Sequence, residues 1–221
     1  VGEWLKNKEL IFKLIQKQFK NTKFIAIRSS TINEDKKKFS QAGKYHTELF
    51  VNIKNRKKIT NSINKVISKY EKKKLKQNQI ILQEMILKPD ISGVIFSREP
   101  NTNAPYYVIN YDDISGLTDT VTSGSSEFSN KSLNVYRNKF SHLRSPRFKK
   151  LIKSVQDLER IFNTEELDIE FCIKNLNIYL LQVRPLTNLK IWNKQTDNLF
   201  LSSLKQIEKK IKIKSKKIKG V

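Results

Sequence analysis

The amino-acid sequence predicts an α+β fold, and three observations carry this prediction. Apolar residues recur at helical spacing in several segments of the chain. Short apolar runs lie between those segments and predict strands. Towards the C-terminal end, polar and apolar residues alternate over two neighbouring runs, which is typical of strands with one polar face. A chain of 221 residues is long enough to bury a core in one large or two small lobes.

The predicted elements follow one another in a mixed order without internal repeats. Helices are predicted where apolar residues recur every three or four positions, over residues 10–19, 59–70 and 148–162. Strands are predicted over the short apolar runs at residues 24–27, 80–85, 93–96, 107–111 and 133–136. A loop is predicted over residues 29–43, and residues 209–219 are interpreted as a charged helix end or linker.

The most informative segment is a predicted pair of strands that carries four polar side chains. Period-2 alternation places Asp168 and Glu170 on one face of the first strand, and Gln182 and Arg184 on one face of the second. If the strands pair through a turn at residues 174–177, these groups converge. Mg²⁺ prefers hard oxygen ligands, and arginine offers a planar fork to phosphate oxygens. The pattern indicates a site for a metal polyphosphate, and an amphipathic hairpin with one solvated face is the alternative interpretation.

The chain is strongly basic, with a formal net charge of +23. Such a charge is often found in proteins that bind nucleic acid or anionic membranes. Only eight of the 44 basic residues are arginines, however, and the lysines are scattered among many Asn and Ile residues, as an AT-rich genome would encode. Clustered arginines with interleaved aromatics are absent from the sequence, so a nucleic-acid partner is not expected. A non-catalytic polyanion- or RNA-binding basic protein stays the alternative function.

Cysteine usage and hydropathy bear on the compartment. Cys172 is the single cysteine, so no disulfide framework is possible and a cytoplasmic location is expected, with Cys172 as a small buried hydrophobe. No apolar run approaches the length that spans a bilayer, and no membrane partner is expected. The chain begins without Met and without a signal-peptide core, which is typical of a piece of a longer protein.

A second polar cluster lies far upstream and carries a resemblance. The strand at residues 24–27 leads into Arg28-Ser29-Ser30, followed by Glu34-Asp35 and Gln41-Ala42-Gly43. This order resembles the nucleotide-binding domain of the phosphoenolpyruvate synthase, pyruvate phosphate dikinase and rifampin phosphotransferase family. Further elements match in the family's order, at residues 82–86, 92–96, 116–117, 123–124, 168–170 and 181–185. The resemblance covers roughly residues 24–187.

The resemblance implies an ATP-grasp fold with a mostly antiparallel sheet flanked by helices. Residues 1–190 would form the nucleotide-binding domain with an incomplete N-terminal lobe, and residues 191–221 would be a helix or linker. It also implies ATP and Mg²⁺ as cofactors, held by specific positions of this sequence. Arg28 and Arg184 match the catalytic arginines that contact phosphate, and Glu170 and Gln182 match the side chains that carry Mg²⁺. The nucleotide itself would be contacted by Ser29, Thr47, Gln83, Glu84, Met85 and Ile86.

The family's chemistry implies the partners. ATP gives its terminal two phosphates to a histidine in a swivelling domain of the same full-length chain, AMP and Pi are released, and the remaining phosphoryl passes to a small-molecule acceptor. Neither His46 nor His142 lies in such a carrier motif, so the carrier is expected beyond residue 221. The chain also resembles an L-glutamine kinase of capsule phosphoramidate synthesis, which would make L-glutamine the acceptor. A degenerate fold that binds nucleotide only as a structural or regulatory ligand is a further hypothesis.

One motif departs from the family pattern. The family's Gly-Leu-Gly-Glu appears here as Gly116-Leu117-Thr118-Asp119, which shortens the acid and removes a glycine. No catalytic role is therefore assigned to Asp119.

Overall fold

The structure is a computed structural model. It describes residues 1–30, 46–71, 75, 77–117, 131–187, 189–190, 192 and 194–218, without the side chains of residues 194–197 and 216–218. The chain divides into two compact units. Unit one comprises Val1–Asp90 with Gly116–Thr118, and unit two comprises Ile91–Ser115 with Asp119–Val221.

Unit one is a three-stranded antiparallel sheet with helices on one face. Its elements are α1 Gly2–Lys6, α2 Lys8–Gln18, β1 Phe24–Ser30, β2 Thr47–Asn52, α3 Arg56–Ser68 and β3 Gln79–Glu84. The strand order is β2-β1-β3, so β1 is central. Ile25 and Ile27 of β1 are fully buried against Ile59, Ile63 and Val66 of α3. The apolar spacing predicted for α3 therefore gives its buried face, whereas in α2 Ile15 is buried but Leu10 and Leu14 are exposed.

Unit two is a five-stranded antiparallel sheet in the order β6-β5-β4-β7-β8. Its elements are β4 Ile91–Phe96, β5 Tyr106–Asp112, β6 Lys131–Tyr136, a 3-10 helix at Arg137–His142, α4 Pro146–Phe162, β7 Leu167–Lys174, β8 Asn177–Pro185 and α5 Lys194–Ile218. The N-cap of α4 is Ser145, whose hydroxyl accepts from the Phe148 amide, with Pro146 in the first turn. The buried stripe of α4 packs against Ile95, Ile109 and Ile169 of the sheet.

The predicted α+β class is confirmed, as are the predicted strands and the three predicted helices. The described residues form two antiparallel sheets flanked by helices, which agrees with the mostly antiparallel architecture that the resemblance implies. β2, α1 and the 3-10 helix were not predicted from the sequence, because they are short or lack a clear apolar period. None of the described helices is both long and apolar enough to cross a bilayer.

Arg137 of unit two forms a buried ion pair with Glu159. Arg137 makes two hydrogen bonds to the Glu159 carboxylate, at 2.7 and 2.9 Å, and a third to the Ser97 carbonyl at 2.7 Å. Its guanidinium also stacks 4.5 Å from the centre of the Tyr107 ring. Burial would lower the pKa of Arg137, but Glu159, Tyr107 and Glu165 together outweigh this effect and raise the pKa. Because its donors are engaged within the protein, Arg137 has a structural role.

The turn between β7 and β8 is a two-residue loop in which both residues have positive φ, 49° at Asn175 and 63° at Leu176. This is the type I′ geometry, which favours Asn-Gly. A leucine side chain is strained there, and Leu176 is 60% exposed, so it gains little from packing. Leu176→Gly is expected to stabilise the fold by about 1 kcal/mol, as measured by chemical denaturation. Asn177→Gly, placed in the strand instead, should destabilise it, and equal effects would contradict this account.

Candidate functional site

One face of the unit-one sheet carries four residues of the predicted nucleotide site. Arg28 lies opposite Thr47 on β2, and Ala26 lies opposite Gln83 on β3. Directly opposite residues point to the same face of an antiparallel sheet, and alternate residues of one strand share a face. Arg28, Thr47, Gln83 and Met85 therefore share the face that points away from α3.

Ser29 differs from these four residues, because alternation directs its side chain to the helix-facing side of the sheet. Its side chain is buried, and its amide donates to the His46 carbonyl at 3.3 Å. The side chain and the amide of Ser29 are thus engaged within unit one, and the nucleotide contact expected of Ser29 stays a prediction.

The outer edge of β3 offers backbone groups where the adenine contact is predicted. The Met85 amide donates to the Phe24 carbonyl at 3.0 Å, so it is engaged with β1. In an antiparallel ladder, residues whose N–H and C=O bond to the neighbouring strand alternate with residues whose N–H and C=O point away from that strand. Glu84 is such a residue, and β3 is an edge strand among the described residues. An adenine beside this edge would meet the backbone of Glu84 rather than the Met85 amide. Alternation directs the backbone groups of Ile86 to the same outer side as those of Glu84.

The hairpin of unit two brings its four polar groups together as the sequence predicted. β7 and β8 pair so that Asp168 lies opposite Arg184 and Glu170 lies opposite Gln182. Cross-strand partners of this kind have Cβ atoms about 5 Å apart. A carboxylate–guanidinium pair and a carboxylate–amide pair therefore lie side by side on one face. The predicted pairing of the strands is confirmed.

A β-bulge sets the direction of these side chains. The register shifts between Glu170 and Phe171, which face Gln182 and Leu180, so Leu181 is an extra residue on β8. In a regular strand, Leu180 and Gln182 would point to the same face. The bulge allows Leu180 to pack against the core while Gln182 faces the other way.

The electrostatics of the hairpin suit a bound cation. Burial raises the pKa of the Asp168 carboxyl to about 6, Arg184 opposes this rise, and Glu170 adds to it. Two carboxylates on adjacent positions of one face repel each other, and a divalent cation relieves this repulsion. Cys172, two residues further along β7, is fully buried as predicted, and burial raises the pKa of its thiol to about 11. It is therefore a small hydrophobe rather than a ligand.

The donor set fits Mg²⁺ together with a phosphate ligand. Within the described residues, no three His, Cys, Asp or Glu side chains lie together as a complete metal site. Mg²⁺ is usually held by one or two carboxylates, with water and substrate phosphates completing its shell. Glu170 and the amide of Gln182 provide such a partial set of hard oxygen ligands.

Comparison with known proteins decides the family. The model of the family described as the AMP/ATP-binding domain of pyruvate phosphate dikinase matches residues 6–127, more than half of the chain. The chain belongs to this family. Nothing among the curated proteins matches the chain. Membership in the pyruvate phosphate dikinase family makes ATP the ligand and ATP-dependent phosphoryl transfer the associated chemistry, and it agrees with the ATP-grasp-like arrangement of antiparallel sheets and helices.

The family match includes Arg28, Thr47 and β3, whereas the β7–β8 hairpin lies beyond residue 127. The roles of Glu170, Gln182 and Arg184 therefore rest on the resemblance and on the geometry of the hairpin. Other elements of the resemblance lie outside the described residues: Glu34-Asp35, Gln41-Ala42-Gly43, Thr118-Asp119 and Ser123-Gly124.

Two side chains, Asp168 and Asp112, make contacts that were not predicted from the sequence. Asp168 is directly opposite Arg184, which follows from pairing and could not be read without the register. Asp112, at the end of β5, is buried and accepts hydrogen bonds from the amides of Ile114 and Ser115, at 2.8 and 3.0 Å. An Asp followed closely by Ser is a common turn signal, so the turn at Asp112 could have been predicted from the sequence.

Proposed function

We propose that this chain is the nucleotide-binding part of a multidomain phosphotransferase that binds Mg-ATP. The observation that carries the proposal is the β7–β8 register, which sets Glu170 opposite Gln182 and Asp168 opposite Arg184 on one face. Membership in the pyruvate phosphate dikinase family supplies ATP as the ligand. The hairpin adds a chemical reason for Mg²⁺, because oxygen ligands and a guanidinium fork together match a metal-bound phosphate.

The residues have separate proposed roles. Glu170 and Gln182 hold Mg²⁺, whose charge offsets that of the phosphates. Arg184 and Arg28 each bind phosphate oxygens, so that charge developing on the transferred group meets fixed guanidinium donors. The edge of β3 at Gln83–Ile86 contacts the base, with Met85 as apolar cover. Thr47 shares the face of Arg28 and offers a hydroxyl to the nucleotide. The contact of Ser29 with the nucleotide is supported by the family resemblance alone, because its side chain points to the other face of the sheet.

The route beyond ATP is also a proposal and follows from the family resemblance. A histidine in a swivelling domain of the full-length chain accepts the terminal two phosphates of ATP, and AMP is released. One phosphate then leaves as Pi by hydrolysis, and the remaining phosphoryl group passes from the histidine to a small-molecule acceptor. We propose residues 1–190 as the nucleotide-binding domain and residues 191–221 as the link towards that histidine domain. L-glutamine is the acceptor that we propose, in a cytoplasmic enzyme.

A direct test is calorimetric titration of Mg-ATP into the chain, with and without EDTA, beside Glu170→Gln. This variant keeps the side-chain shape but loses the charge that a hard cation requires. We expect saturable binding that EDTA weakens, and at least tenfold weaker Mg-ATP binding in the variant, equivalent to about 1.4 kcal/mol. Thermal unfolding should show that both proteins are folded.

The matched control is Asp157→Asn, which removes the same charge from the exposed face of α4 in the same unit. It should bind Mg-ATP as the wild type does. Equal binding by all three proteins would contradict the proposed metal role of Glu170. Salt-sensitive binding of an unrelated RNA oligomer, without metal-dependent ATP binding, would favour the polyanion-binding alternative.

A further inference from the structure

We propose that Tyr70 is a positioning residue for phosphate binding, because its hydroxyl fixes the main chain at the end of β1. This inference rests on the proposed role of Arg28 in ATP binding. Tyr70 lies just after α3, where its amide donates to the Ile67 carbonyl at 3.0 Å. Its side chain is only 6% exposed and packs in the core of unit one. The ring is therefore held in place independently of any ligand.

The hydroxyl of Tyr70 stands between two strands. It accepts a hydrogen bond from the Ser30 amide at 3.1 Å and donates one to the Gln79 carbonyl at 2.6 Å. A tyrosine hydroxyl has one proton to donate, and here the donor and an acceptor position are both used. The ends of β1 and β3 are thus joined through a side chain that comes from a third element.

The ladder shows why this position is unusual. Ser30 and Gln79 are directly opposite each other. In an antiparallel ladder, every second pair of opposite residues is a hydrogen-bonded pair. Phe24 and Met85 form such a pair, because the Met85 amide donates to the Phe24 carbonyl. Ser30 and Gln79 lie an even number of positions away and therefore belong to the same set. At this pair the Tyr70 hydroxyl also bridges the amide of Ser30 and the carbonyl of Gln79. The last pair of the ladder consequently depends on the position of the ring.

A second bond holds the neighbouring residue from the opposite side. The Ser29 amide donates to the His46 carbonyl next to β2. Two consecutive amides, immediately after Arg28, are therefore tied to different elements of unit one. A guanidinium acts on phosphate only when its main chain is correctly placed, and small displacements of such groups are costly. Tyr70 would thus act on ATP through Arg28, without touching the nucleotide.

The test is Tyr70→Phe, which retains the buried ring and removes the hydroxyl. We expect Mg-ATP binding to weaken about tenfold, as for the loss of one positioning hydrogen bond, and adenosine binding to change less than twofold. Amide hydrogen exchange at Ser30 should become faster. Asn55→Ala is the matched control, because it removes the N-cap bond to Lys58 at the other end of α3, at a similar cost in stability. It should leave both affinities unchanged.

The outcomes separate the two proposals. Wild-type chain that fails to bind Mg-ATP would overturn the proposed function, and this inference with it. Wild-type binding, with Mg-ATP affinity unchanged in Tyr70→Phe, would overturn this inference alone. Equal losses for Mg-ATP and adenosine would also overturn it, since they would indicate a general loss of structure rather than a displaced phosphate contact.

Discussion

Gly93→Ala is expected to prevent unit two from folding stably. Gly93 lies in the central strand β4, between Tyr111 on β5 and Phe171 on β7. A methyl group at this position would lie 2.1 Å from the Asn110 carbonyl oxygen and 2.9 Å from the Tyr111 Cα. Both are backbone atoms, so no side-chain rotation relieves the clash, and β4 and β5 must separate. The expected cost is roughly 3–5 kcal/mol, a large part of a typical domain's stability.

Chemical denaturation measures this effect, and Gly2→Ala is its control. Gly2 lies in α1, where an added Cβ meets no atom within 4 Å, and alanine is a better helix former than glycine. Gly2→Ala should thus be neutral or slightly stabilising. A Gly93→Ala protein as stable as the wild type would show that β4 and β5 do not approach as closely as the structure indicates.

Arg28→Met is expected to weaken Mg-ATP binding about 100-fold and to leave adenosine binding unchanged. Methionine keeps an unbranched apolar stem, so the substitution mainly removes the guanidinium. Hydrogen bonds from a charged donor to phosphate contribute about 1.5–3 kcal/mol each, and adenosine has no phosphate to receive them. Calorimetric titration with each ligand measures the difference.

Arg56→Met provides a control with the same charge change in the same unit. Arg56 begins α3, is exposed, and contacts Glu9 and the ring of Phe12. It should leave Mg-ATP affinity within about twofold, because a solvent-exposed charge has a small effect on a distant ligand. Similar losses in both variants would indicate a general electrostatic attraction of ATP to a basic chain, and would count against a specific role of Arg28.

The elements of the fold were largely predictable because their signals are local. Helical spacing over residues 148–162 predicts α4, since a helix with one buried face requires that period. Alternation of polar and apolar residues on both sides of the turn at residues 174–177 predicts the β7–β8 hairpin, since a strand with one buried face requires a period of two. β2 escaped prediction because its polar and apolar residues alternate weakly and only Val51 is fully buried.

Features that depend on register were not predictable. The bulge at Leu181 changes which residues face the core, and one inserted residue leaves no separate mark in the sequence. Likewise, the proposed role of Tyr70 depends on its hydrogen bonds to Ser30 and Gln79, which lie on two strands and are about 50 residues apart in the sequence. Nothing local in the sequence around Tyr70, just after α3, indicates that its ring meets the end of β1.

The sequence by itself determined the α+β class, the family resemblance and the identity of the polar groups, because periodicity and motif order are properties of neighbouring residues. Only the tertiary structure decided that Arg28 and Thr47 share a sheet face from which Ser29 points away, and that Asp168 pairs with Arg184. The physical reason is that a side chain's direction depends on strand register, and register is set by the packing of whole sheets against their helices.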